Sequence, residues 1–171
     1  MKHTKQKMRV LITGGAGFIG HHIIEHLLHK TNWTIVSLDR LDYSGNLNRI
    51  KEVTQDSSLS KERVKIIWHD LKASLSKQIV KRIGKIDYIA HLAAGSHVDR
   101  SIKDPMEFVM DNVVGTANLL DYARLNLKSL KKFIYFSTDE VFGPAPKGVF
   151  YKEDDRYASG NPYSASKAGG E

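Results

Sequence analysis

Tyr163 and Lys167 stand four residues apart in NPYSASKAGGE, at the start of a predicted helix, so both side chains project from one face. A lysine ammonium close to a tyrosine hydroxyl favours the phenolate and turns a weak group into a base. Upstream, Ser137-Thr138-Asp139-Glu140 follows a fifth predicted strand, at the sheet edge where ligands of α/β proteins bind. Two carboxylates and a hydroxyl there could supply an acid, a base and an orienting hydrogen bond. The same residues could equally form a polar loop that caps the following turn.

A second constellation opens the chain in RVLITGGAGFIG, Arg9 to Gly20. The apolar run Val10 to Ile12 meets a knot of glycines that fits GxxGxxG through Gly14, Gly17 and Gly20, and GxGxxG through Gly15, Gly17 and Gly20. Gly14 can turn the chain, Gly17 lets backbone approach a pyrophosphate, and Gly20 lets the new helix pack against the strand. Phe18 and Ile19 begin that helix, whose unpaired N–H groups and partial positive charge face the phosphates. Asp39 lies 19 residues past Gly20, at the end of WTIVSLD, where a carboxylate can accept both hydroxyls of an adenosine ribose. It would repel a 2′-phosphate and so favours NAD over NADP, although Arg40 beside it offsets part of that repulsion. Asp70 and Leu71 follow the third strand where an adenine edge would lie. Ala93 begins the small-residue turn Ala93-Ala94-Gly95, where a cofactor could lie close to backbone.

Positioning these residues requires strands that alternate with helices. After β1, Trp33 to Leu38, Val64 to Trp68, Ile86 to Leu92 and Lys132 to Phe136 read as strands. The first helix presents Ile19, Ile23 and Leu27 on one side. LDYSGNLNRI runs from a turn into a short helix, and DSSLSKER is a surface connection. A helix from Ser74 to Ile83 carries Leu75, Ile79 and Ile83 on one face and ends at Gly84. Asp104-Pro105-Met106-Glu107 reads as a capping box. The helix it opens runs to about Asn126 and buries Val109, Val113, Leu120 and Ala123. Parallel strands need crossovers, so the fold class is α/β, a Rossmann-like doubly wound parallel sheet of strand order 3-2-1-4-5. Residues 1–171 form one domain.

Composition excludes several chemistries. Without cysteine there is no disulfide framework and no thiolate site, which fits a reducing compartment. His21, His22, His26 and His29 read as surface positions of one helix without a carboxylate cluster, so no metal is expected. The net charge of +7 is scattered instead of forming one stripe, which argues against nucleic acid; a polyanionic cofactor and substrate account for part of the excess. The basic MKHTKQK leads straight into β1 with no apolar signal core, and no apolar run is long enough for a bilayer, so no membrane partner and a cytoplasmic location are expected.

TGGAGFIG, LDRLDYSGNL, AAGSHVDRSI, NVVGT, STDEVFG and YSASK, taken in order, resemble the extended short-chain dehydrogenase/reductase family, in its dTDP-glucose 4,6-dehydratase branch. The resemblance implies an NAD-dependent lyase whose substrate is a nucleotide sugar, dTDP-glucose first among them. By the same resemblance Tyr163 removes the proton of the sugar 4-hydroxyl, with Thr138 hydrogen-bonded to that oxygen and Lys167 on the nicotinamide ribose. Glu140 takes the C5 proton and Asp139 protonates the departing 6-hydroxyl. Two departures stand out, Gly95 where the family commonly has glutamate and Phe142 where it commonly has tyrosine. Family members continue well past YxxxK into a nucleotide-gripping domain. The chain is therefore expected to be a cofactor-binding part truncated after that motif, with the substrate domain absent, Tyr163 and Lys167 fraying, and the family's homodimer weakened or lost. A non-catalytic NAD-binding module, or another family member such as a UDP-glucose 4,6-dehydratase or an epimerase, remains the alternative.

Overall fold

A computed structural model describes residues 7–55 and 62–171. The basic leader before Lys7 and most of the predicted connection Asp56 to Arg63 lie outside the described residues. Strands β1 (Arg9–Thr13), β2 (Thr34–Asp39), β3 (Val64–Trp68), β4 (Tyr88–His91) and β5 (Lys132–Tyr135) form one sheet in the order β3-β2-β1-β4-β5, every pairing parallel. This is the predicted order.

Alternation along the strands splits the core in two. Val10, Ile12, Ile35 and Ala90 join Ile24 and Leu28 of α1 (Phe18–Lys30) and Ile50 of α2 (Leu47–Thr54) on one face. Leu11, Val36, Leu38 and Ile89 meet Ile83 of α3 (Lys77–Ile83) and Leu119, Tyr122 and Ala123 of a later helix on the other. Period two therefore feeds both layers from the same strands.

The buried stripe of α1 differs from the prediction by one residue. It runs through Gly20, Ile24 and Leu28, while Ile19 is 56% exposed and Ile23 and Leu27 only flank the core. The cause is Gly20, where a Cβ would lie 2.1 Å from the Gly14 carbonyl oxygen, so the backbone contact sets the rotation of the helix. His21 is consequently buried, not a surface position, and its Nδ1–H donates to the Gly17 carbonyl at 2.9 Å. Helix α3 begins three residues later than expected, because the Ser76 hydroxyl caps it by accepting the Ile79 N–H.

The long helix predicted from Pro105 is three segments. After α4 (Val98–Lys103) come α5 (Pro105–Val109), a π-turn (Met110–Val114) and α6 (Gly115–Asn126). Asp104 accepts the Glu107 N–H as predicted, but its own N–H bonds the Arg100 carbonyl, so the capping box closes on one side only. The buried face is Phe108, Asn112, Thr116, Leu119 and Ala123, whereas Val109 and Leu120 are 37% and 45% exposed. A π-turn widens one turn of helix and shifts which residues point inward. Here it turns Asn112 into the core. The Asn112 carboxamide accepts the Gly95 N–H at 2.7 Å and donates to the Gly95 carbonyl at 3.0 Å and to Ser166 Oγ at 2.8 Å.

Asn112→Ala would leave the buried Gly95 N–H and C=O without partners, at about 1–3 kcal/mol per orphaned group. Urea unfolding should show a loss of roughly 2–4 kcal/mol. A loss below about 0.5 kcal/mol would show that this carboxamide does not tie the sheet edge to the helices.

Candidate active site

The C-terminal edge of the sheet, where the strand order reverses between β1 and β4, opens into a cleft of about 470 Å³. Gly14 turns the chain at φ +71°, and a Cβ there would lie 2.8 Å from the Ala93 nitrogen, so the two walls of the cleft meet backbone to backbone. No side chain caps α1 and its first turn holds no acidic residue, which leaves its N–H groups for an anion. Opposite, His91 holds the wall. Thr116 Oγ1 donates to the Asn112 carbonyl at 2.6 Å and accepts from His91 Nε2, so His91 Nδ1 is the acceptor for Thr13 Oγ1 at 2.6 Å. Thr13 Oγ1 in turn accepts the Ala93 N–H. Burial, and then the nearby Lys167, push the His91 pKa down to about 3, so the ring is neutral.

Gly14, Gly17, Phe18, Ile19, Gly20, Asp39, Asp70, Leu71, Ala93, Tyr163 and Lys167, all singled out in the sequence, line this one cleft. Asp39 is 8% exposed, and its carboxylate accepts the Ala16 N–H at 3.0 Å and the Leu41 N–H at 2.8 Å. Each oxygen keeps a lone pair for a hydroxyl. Around it the sequence reading missed Asp42, Ser44, Arg49, His69, Ser96 and Asp111, which also line the cleft. Asp111 stands on the π-turn, and nothing in the periodicity marks that turn. Arg40 does not reach freely into the cleft. Its Nη1 and Nη2 donate to the two Asp111 oxygens at 2.5 and 2.8 Å, and its Nε donates to Asp42 at 2.7 Å. Among the charged side chains lining the cleft, four are carboxylates, Asp39, Asp42, Asp70 and Asp111, against three cations, Arg40, Arg49 and Lys167. The lining of the cleft therefore carries no excess of basic side chains.

At the other end, helix α7 (Pro162–Gly170) carries Tyr163 and Lys167 and is docked, contrary to the expected fraying. Asn161 caps it by accepting the Ser164 N–H at 2.8 Å, Ser101 Oγ accepts the Tyr163 N–H, and Ser166 is held by Asn112. Packing on the π-turn replaces the length that an isolated helix would need. Lys167 is 3% exposed; its Nζ donates to the Phe136 carbonyl at 2.5 Å and sits 4.1 Å from the Tyr135 ring centroid. Burial lowers its pKa to about 8, with Glu171 pulling the other way. With Nζ turned to Phe136, Lys167 does not depress the Tyr163 pKa as expected. Burial raises that pKa, a Thr138 hydrogen bond opposes the rise, and Glu140 and Asp139 add to it.

Thr138, Asp139 and Glu140 stand just outside the cleft lining, which Ser137 joins. Thr138 precedes a 3₁₀ turn (Asp139–Phe142) and its hydroxyl accepts the Glu140 N–H at 3.3 Å. The capping reading thus holds for Thr138 without consuming the carboxylates. Glu140 accepts from Asn161 Nδ2 at 3.2 Å, and Asp139 is exposed. Phe142 stacks on Tyr151 at 5.4 Å between ring centroids. Among the described residues no group of three or more histidine or acidic side chains is gathered to hold a metal, and no helix is long and apolar enough to cross a membrane.

Lys167 should titrate near pH 8. Between about pH 8 and the ordinary lysine value the unfolded chain keeps a proton that the folded chain has lost, so folding gains stability as pH rises through that window. Urea unfolding of wild type and Lys167→Met at about pH 8 and about pH 9.5 should show the difference between them moving by about 2 kcal/mol in favour of wild type. A difference that does not change with pH would mean that Lys167 stays charged throughout.

A sequence model of the family described as GDP-mannose 4,6 dehydratase matches residues 11–171. The dTDP-glucose 4,6-dehydratase of Escherichia coli is 38% identical over 177 aligned residues, covering 94% of this chain and 48% of that protein. In the crystal structure of a dTDP-glucose 4,6-dehydratase from Streptomyces venezuelae with NAD bound, the matching region is 35% identical with a TM-score of 0.81, covering 95% of this chain and 49% of that one. A UDP-glucose 4-epimerase from Bifidobacterium longum superposes with a TM-score of 0.78 at 29% identity, over 95% of this chain and 47% of its own. The chain spans about half the length of the curated relatives it matches. A match that takes in the glycine corner, the cleft walls and the helix of Tyr163 and Lys167 places the chain in the GDP-mannose 4,6 dehydratase family.

Proposed function

We propose that these residues form the NAD-binding and catalytic part of a nucleotide-sugar 4,6-dehydratase acting on dTDP-glucose. The observation that carries this reading is the adjacent pair Asp139 and Glu140, on the turn after β5, with both carboxylates bearing on the Tyr163 phenol. An oxidation at C4 needs one base; a dehydration needs a further acid and base. This site has both. NAD suits the cleft because an uncapped helix N-terminus faces its pyrophosphate, Asp39 faces a ribose and the walls at Gly14 and Ala93 leave room only for backbone. The names of the relatives point the same way.

NAD, which the N-terminus of α1, Asp39 and Lys167 would hold, would supply the hydride acceptor for sugar C4 and the hydride donor for C6. Tyr163 Oη takes the proton of the 4-hydroxyl, and Thr138 hydrogen-bonds the same oxygen. Tyr163 needs a positive charge nearby to act as a base, and Lys167, swung from the Phe136 carbonyl towards the phenol, supplies it. Once C4 is a ketone the C5 proton is acidic. Glu140 takes that proton and Asp139 gives one to the departing 6-hydroxyl, so that water leaves across C5–C6; hydride supplied at C6 and the Glu140 proton returned to C5 would then give the 4-keto-6-deoxy sugar nucleotide.

In the protein that contains this chain, Glu140→Gln should still oxidise dTDP-glucose, visible as NADH absorbance, while dehydration falls by roughly 10²–10⁴-fold. Dehydration at the wild-type rate in that variant would remove Glu140 from its role. Absence of any NADH signal in both proteins would reject the reading as a whole.

A further inference from the structure

We propose that Asp111 decides between NAD and NADP by holding Arg40 away from the position of a 2′-phosphate. The inference rests on the reading that the cleft binds NAD. Arg40 directly follows Asp39 at the end of β2, where an arginine can accommodate a 2′-phosphate. On sequence alone it opposes the selectivity of Asp39. In the structure all three of its guanidinium nitrogens face carboxylates. Nη1 and Nη2 form a bidentate pair with Asp111, Nε and Nη2 reach Asp42 at 2.7 and 2.6 Å, and Nη1 lies 3.9 Å from Asp70. A planar fork held on two sides presents no free edge to a phosphate.

The clamp is built into the fold. The Asp111 side chain is only 6% exposed and belongs to the π-turn, which lies 71 residues from Arg40 in sequence. Gly95 makes room for it, since a Cβ at that position would lie 3.0 Å from Asp111 Oδ2 and 3.3 Å from the Phe108 ring. The glycine that departs from the family's usual glutamate and the buried aspartate are thus two halves of one arrangement. Lys72 approaches the same carboxylates, at 3.7 Å from Asp70 and from Asp111 and 3.6 Å from Glu107. Arg49, the other guanidinium on this side of the cleft, donates to the Ala16 and Ser44 carbonyls at 3.2 and 2.8 Å. It is the competing candidate for a 2′-phosphate.

Calorimetric titration of the chain with NAD and with NADP, without substrate, tests the proposal. Asp111→Asn should tighten NADP binding at least about tenfold and change NAD binding by less than about threefold. The paired variant Arg40→Leu with Asp111→Leu removes both charges together, a replacement that buried pairs generally tolerate. It should bind both cofactors within about threefold of wild type. An unchanged NADP-to-NAD ratio in Asp111→Asn would overturn the proposal. An equal NADP gain in the paired variant would do so too, by showing that Arg40 is not the group released. If Asp111→Asn does not fold, a loss of about tenfold in NADP affinity in the paired variant still overturns it, because Arg40 would then already be serving the 2′-phosphate. Wild-type chain that binds neither cofactor would reject the underlying NAD reading along with it, an outcome distinct from a change of ratio.

Discussion

The carboxamide of Asn112 ties the two halves of the site together. It bonds both polar backbone atoms of Gly95, in the turn that leaves β4, and the hydroxyl of Ser166, on the helix of Tyr163 and Lys167. A regular helix would carry this residue round without the wider turn that Met110–Val114 provides. The backbone carbonyl oxygen of Asn112 also terminates the relay from Ala93 through Thr13, His91 and Thr116. One widened segment of helix therefore ties the turn after β4 to the helix of Tyr163 and Lys167. Its neighbour Asp111 falls on the cleft side for the same reason.

Electrostatics divide the cleft. At the Asp39 end acidic side chains predominate, so attraction for an anion there would come from the N–H groups of α1 instead of from lysines and arginines. At the other end a buried ammonium lies close to a buried imidazole, and burial lowers the pKa of both, Lys167 to about 8 and His91 to about 3. These two choices are coupled, because a protonated His91 would add a second positive charge beside Lys167. The hydrogen bonds of Thr13 and Thr116 fix His91 as a neutral ring with a defined tautomer.

Local signals were legible in the sequence, and signals made by tertiary contact were not. The glycine corner, Asp39, the strand order and the start of α7 were each found where expected. The rotation of α1 was not legible, because a contact between Gly20 and the Gly14 carbonyl sets it. Nor was the π-turn, since Val109, Val113 and Leu120 fit an ordinary apolar stripe as well as the true face does. Spacing correctly put Tyr163 and Lys167 on one helix, yet it carried no information on where the Lys167 ammonium points.

That last point bears on how, in the proposed reaction, the tyrosine would become a base. Burial and two nearby carboxylates favour the protonated phenol, and only the Thr138 hydrogen bond works against them. The carboxylates are the groups that a dehydration needs, so they cannot be removed to make the phenol more acidic. The compensating charge must come from a cation that can move. Lys167 meets that requirement: its Nζ makes one hydrogen bond, to the Phe136 carbonyl, beside the Tyr135 ring, and its low pKa reflects burial that a charged partner would relieve. A ligand that draws Nζ from Phe136 towards Tyr163 would stabilise the ammonium and the phenolate together, coupling occupation of the cleft to activation of the base.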